Sequence, residues 1–151
     1  MKKFLFALIF ISLSSSLSAK DLEWTIPNTW ERSSEKKAMR LATLLVKADN
    51  SLAIAVSRFP GDVGGELANV NRWRRQIGLA PVNAANLQEG LEVIESAAGK
   101  AKLLDISNGD KQMLAVMFPH QGSTYFFKLT GSKDKVSKEK ESLIKLVKSF
   151  K

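Results

Sequence analysis

Apolar and polar positions divide this chain into short alternating runs and two stretches of helical period. Leu22-Glu-Trp-Thr-Ile-Pro-Asn-Thr-Trp30 alternates around Pro27, which suits an edge strand or a strand entering a turn, since proline has no N–H to give a ladder. Residues 38–47 and 51–59 read as two strands joined by Ala48-Asp49-Asn50, a composition that favours a tight hairpin. In the second of these, Leu52, Ile54 and Val56 share one face while Ala53, Ala55 and Ser57 share the other. Such a small-residue face is expected to receive a closely packed helix.

Leu67, Val70, Trp73 and Ile77 fall on one side at about 100° per residue, which predicts that helix over 66–77. Gly64 and Gly65 break the chain before it, and Gly78 supplies a left-handed residue after it. Residues 80–90 carry Pro81, Asn83 and Asn86 and form a long loop, with or without one short helical turn. Strands are then predicted over 91–96, 102–107, 112–118 and 123–129. Their separators are Ala98-Gly99-Lys100, Asn108-Gly109-Asp110 and Pro119-His120-Gln121-Gly122, of which Asn-Gly is the strongest hairpin signal. Met113-Leu-Ala-Val-Met-Phe118 is apolar on both faces, so that strand is central and covered twice. A last helix over 133–150 has Val136, Leu143, Leu146, Val147 and Phe150 as its inner stripe. The order is three strands, a helix, four strands and a helix. The fold class is therefore α+β: one domain, a largely antiparallel sheet of six or seven strands, and helices on its faces in an α/β/α sandwich.

Residues 1–19 stand apart. Lys2 and Lys3 precede an apolar run and a tail of small residues ending at Ala19, the layout of a secretory signal peptide. The apolar run falls short of the roughly 20 residues a spanning helix needs, though an uncleaved N-terminal anchor is the competing reading. Residues 20–151 are then the exported domain, periplasmic or extracellular. With no cysteine the chain has no disulfide, no thiol chemistry and no lipid-anchored cysteine, so 44% apolar residues must supply the core alone. Without Lys2 and Lys3 the formal charge falls by two, from +8 to +6. That balance favours anionic partners, or serves solubility only. Export argues against nucleic acid as a partner.

A tryptophan near the mature N-terminus, the strand-ending Phe59-Pro60-Gly61, the helix after it, Phe126-Phe-Lys-Leu-Thr-Gly131 and a C-terminal helix closing on Lys148-Ser-Phe150 together form a familiar layout. It resembles exported bacterial proteins of the PsbP-like α/β/α sandwich superfamily, which includes an extrinsic photosystem subunit and the Ran-binding Mog proteins. The resemblance implies that fold and a habit of binding other proteins rather than catalysis. No metal or partner residue of the superfamily is matched here.

Candidate chemistry gathers in residues 59–79. The Gly61-Asp-Val-Gly-Gly65 turn lies between strand and helix like a phosphate loop, but lacks that loop's Gly-Lys-Ser/Thr ending and carries Asp62 beside Glu66. A sharp turn, with Asp62 capping the helix, is the plainer reading. Gly61, Gly64, Gly65 and Gly78 are accordingly structural. Arg74 lands on the apolar side, where it is expected to pair with a carboxylate and lock the helix to the sheet. Asn69, Arg72, Arg75 and Gln76 form the outer face with Trp73 at its border, and with Asp62 they make the candidate binding surface.

His120 is the single histidine and sits in a turn; no Gly-x-Ser-x-Gly elbow, carboxylate pair or metal-ligand spacing accompanies it. A hydrolase with an unusual site is the weakest alternative. No cofactor and no metal are expected. The expected partner is an envelope protein, or alternatively a weak contact of the basic surface with anionic membrane. The oligomeric state stays open.

Overall fold

A computed structural model describes residues 21–151; the signal-peptide reading of 1–19 lies outside them. The sequence's order of elements is the order observed. The strands are β1 (Trp30–Arg32), β2 (Ala42–Val46), β3 (Asp49–Pro60), β4 (Leu91–Ser96), β5 (Gly99–Asn108), β6 (Lys111–His120) and β7 (Ser123–Ser132). Helix α1 (Gly65–Gln76) lies between β3 and β4; α2 (Lys133–Val136) and α3 (Lys140–Lys148) close the chain. All seven strands join one antiparallel sheet in the order β1-β2-β3-β7-β6-β5-β4. β6 and β7 are central, which is why Met113 to Phe118 can be apolar on both faces.

Each face of the sheet carries its own core. On one, Leu44, Ile54, Val56, Leu103, Leu114, Val116, Phe118, Phe127 and Leu129 pack under Val136, Leu143, Leu146, Val147 and Phe150 of the terminal helices. On the other, Leu104, Ile106, Met113, Ala115, Met117 and Phe126 pack under Val70, Trp73 and Ile77 of α1. The result is an α/β/α sandwich.

Four local expectations change. Residues 22–29 are a strap rather than a strand. Glu23 exchanges backbone hydrogen bonds with Lys151, and the Thr25 N–H goes to Ser149 Oγ, so the strap pairs with the end of α3 and not with the sheet. β2 starts four residues later than expected, because 37–40 is a turn in which Met39 has φ 64°. The first hairpin turns at Lys47-Ala48, with Val46 opposite Asp49, so Asp49 and Asn50 already belong to β3. The single helix over 133–150 is broken by a 3₁₀ turn, Ser137–Glu139, where Ser137 Oγ donates back to the Lys133 carbonyl at 2.6 Å.

A fifth difference shapes the site. Helix α1 lies over the large apolar side chains of β5, β6 and β7, where it buries more surface, and not over Ala53, Ala55 and Ser57. That small-residue strip of β3 is left half-buried.

Candidate functional site

β3 ends at Pro60 and the chain reverses through Gly61, Val63, Gly64 and Gly65, all left-handed, with φ of 72°, 52°, 86° and 82°. The glycines adopt this at no steric cost; Val63, β-branched, does not. Asp62 does not cap the helix as expected. Gly64 itself holds the N-cap position, so Asp62, two residues earlier, falls short of the first-turn N–H groups and accepts from the Gly64 N–H at 3.2 Å instead. Glu66 supplies the acidic side chain of the first turn and is paired with Lys102 of β5.

Asn69 is not on the outer face. It lies four residues before Trp73 and is buried beside it. Its Nδ2 donates to the Gly65 carbonyl at 2.7 Å, and its Oδ1 accepts from Arg72 Nη1 at 2.7 Å. Trp73 is buried as well, edge-on to Phe126 with ring centroids 5.5 Å apart. Arg72, Arg75 and Gln76 are exposed. Arg74 has no carboxylate partner among the described residues; its Nε donates to the Ala80 carbonyl at 2.6 Å, because the chain after the helix folds back within its reach. Gly78, at φ 80°, lets the Gly78 and Leu79 N–H groups return to the carbonyls of Arg75 and Arg74 at 3.1 and 2.9 Å, a Schellman ending. Asn108 Nδ2 adds a bond to the Ile77 carbonyl at 3.0 Å.

Two hollows adjoin α1. A cleft of about 460 Å³ at its N-terminal end is lined by Gly61, Asp62, Gly65 and Glu66 against Lys102, His120 and Thr124 of the sheet. Its charges oppose one another, since Glu66 takes Lys102, and Thr124 Oγ1 donates to the Gly61 carbonyl at 2.6 Å. His120 is half-buried rather than a free-standing turn residue. The turn is Gln121-Gly122, so His120 is the last residue of β6, with its ring stacked on Phe118 at 5.7 Å.

The second hollow, about 450 Å³, runs along the side of α1. Ala55, Ser57, Phe59 and Phe126 floor it; Val63, Asn69, Arg72 and Trp73 form one wall; Ala38, Met39 and Arg40 form the other; Lys128 closes one end. Among the described residues none of these linings is a carboxylate. Arg40 Nη1 donates to Thr43 Oγ1 at 3.3 Å and Lys128 Nζ donates to Gln76 Oε1 at 2.8 Å, both neutral acceptors. Burial first, and the Arg40 charge second, push the Lys128 ammonium below its ordinary pKa.

The sequence-derived residues thus separate. Arg72 and Trp73 line the groove and Gln76 braces its lysine, Asp62, Gly61 and Gly65 line the cleft, Asn69 borders both, and Arg75 lines neither. Arg40 was not singled out in the sequence, and Phe59, Phe126 and Lys128 stood there only as parts of strand ends, not as binding residues. Lys128 carried a signal: it interrupts a strand whose neighbours Phe126, Phe127 and Leu129 are all buried. Among the described residues no cluster of three His, Asp or Glu side chains is placed to hold a metal ion, and no helix is long and apolar enough to cross a membrane.

A twisted antiparallel sheet with one helix on one face and the C-terminal helix on the other is the PsbP-like fold. Cyanobacterial PsbP (CyanoP) from Synechocystis superposes with a TM-score of 0.52 at 13% identity, over 93% of this chain and 98% of that one. A protein of Bacteroides thetaiotaomicron matches at 0.51 and 8% identity, over 86% of this chain but only 44% of its own. LpqN, involved in cell envelope biogenesis of Mycobacterium tuberculosis, reaches 0.47 at 15% identity over 85% of this chain and 81% of its own. No family model and no curated protein sequence matches the chain.

Proposed function

We propose that this chain is an exported, non-catalytic accessory module that docks another envelope protein through the groove beside α1. The observation that carries the reading is the groove itself. Arg40, Arg72 and Lys128 surround an aromatic floor with no carboxylate in the lining, so the field there is uncompensated and positive. Exposed Arg72 beside the half-buried Phe59 ring joins the arginine and aromatic types in which protein interfaces are enriched. A leader-like N-terminus and a PsbP-like fold support export and an accessory role. Attachment to anionic membrane through the C-terminal helix has less in its favour, because the apolar stripe of that helix is spent on the core.

The test is a photo-crosslinking amino acid placed at Arg72 and, separately, at Lys148 on the opposite face, in the full chain expressed with its leader. The reading expects a discrete protein adduct from position 72, found outside the cytoplasm, and none from position 148. Adducts of equal yield from both positions, or from neither, would sink it.

A further inference from the structure

The groove has a direction. Along its floor Ala55 pairs with Lys128, Ser57 with Phe126 and Phe59 with Thr124, so a cationic end gives way to an aromatic one. Four residues of strand separate Ala55 from Phe59, about 13 Å. Arg40 stands with Lys128 at the cationic end, and the Phe59 and Phe126 rings, 6.2 Å apart, form the other.

The rim adds a second feature. Met39 is 77% exposed and held at φ 64°, the third position of a turn closed by the Arg40 N–H on the Lys37 carbonyl. Type II turns favour glycine or asparagine there, so methionine costs both exposed apolar surface and backbone strain. Nothing in the fold gains from either. Flexible methionines are common where a surface must fit another protein.

We infer that the groove takes an extended segment of a partner protein, with an acidic pair set against Lys128 and Arg40 and a large apolar side chain about four residues away over Phe59 and Phe126. This rests on the α1 flank being a protein-docking surface. Three separated cations call for more than the single charge of an acyl carboxylate, and the adaptable rim of Met39 suits side chains of varied shape.

The experiment titrates the purified chain, by isothermal calorimetry and amide NMR, with four probes. They are a peptide with a Glu-Glu pair four residues from a Leu-Phe pair, its Gln-Gln counterpart, dodecanoate, and vesicles rich in phosphatidylglycerol. The acidic peptide should bind at least about tenfold more tightly than the glutamine peptide. That ratio should shrink between about 0.05 M and about 0.5 M salt. Lys128→Met and Arg40→Gln, each checked for native near-ultraviolet dichroism, should abolish it, and Arg75→Ala should leave it unchanged. Equal binding of the two peptides, survival of the preference in both groove variants, or displacement of the peptide by dodecanoate or vesicles would overturn the inference. If the position-72 adduct persists while the peptides fail, only the segment's chemistry is wrong; if the adduct is missing too, the docking surface falls with it.

Discussion

Lys128 of β7 donates to Gln76 Oε1 of α1 at 2.8 Å, so a half-buried ammonium is tied to a neutral amide while Arg40 stands nearby. A carboxylate in Gln76's place would have offset the charge of Lys128. Burial and a like charge both favour the uncharged amine, so the folded pKa lies below 10.5. Between the two values the unfolded chain binds more protons, and stability therefore rises with pH across that window. Lys128→Met should equal or exceed the parent in melting temperature at about pH 7, with the difference narrowing toward about pH 10. A clear loss of stability at neutral pH would show the ammonium to be stabilising.

Met39 offers a separation of stability from binding. Its side chain is almost wholly solvent-exposed and its φ is one that glycine adopts freely. Met39→Gly should gain about 1 kcal/mol in denaturant unfolding. The same variant should weaken the acidic peptide several-fold, a trade common at binding surfaces. Unchanged affinity would remove the rim from the site.

The helix and its limits were legible because glycines and apolar spacing are local signals: Gly64, Gly78 and the Val70–Trp73–Ile77 stripe say the same thing. Most of the sheet was legible for the same reason, β2 to β3 and the run from β4 to β7 being joined by two-residue turns. What Arg74 and Asn69 do was not. Arg74 bonds a carbonyl six residues on, which depends on how the loop folds back, and Asn69 is buried where its side chain bonds the Val63 and Gly65 carbonyls of the entry turn, contacts that a helical wheel does not contain. The groove was further out of reach. It exists because α1 chose the large side chains of β5–β7 over the alanines of β3, a decision between two distant surfaces. Arg40 and Lys128 stand 88 positions apart and meet only once β2, β3 and β7 are aligned.

Asp49, at the start of β3, holds Lys135 of α2 at 2.6 Å and accepts from Ser51 as well. These bonds, that to Lys135 foremost, bring its carboxyl from the ordinary 3.8 down to about 2. A depressed carboxylate contributes stability that is complete above about pH 4 and is lost as the pH falls through about 2. Carboxyl NMR should find Asp49 titrating near the lower value, and Lys135→Ala should move it back toward 3.8. An unmoved midpoint would place the cause in Ser51 alone.

Gly131, in β7, sits where the sheet meets α2, and its freedom of φ is not what matters there. A Cβ at that position would stand 2.8 Å from Leu52 Cδ2 and 3.2 Å from Val136 Cγ2. Both neighbours are buried, Leu52 on β3 and Val136 on α2, so the sheet and helix cannot simply part. Gly131→Ala should cost on the order of 1–3 kcal/mol by overpacking. Leu52→Val alone should cost about 1 kcal/mol for the lost methylene. Because the closer clash is with the Leu52 methyl, the two changes are coupled: valine draws back from the new methyl group, and the double variant should lose less than the sum of the single losses. Urea unfolding of the four proteins measures this, and strict additivity would mean that Val136, not Leu52, sets the limit at Gly131.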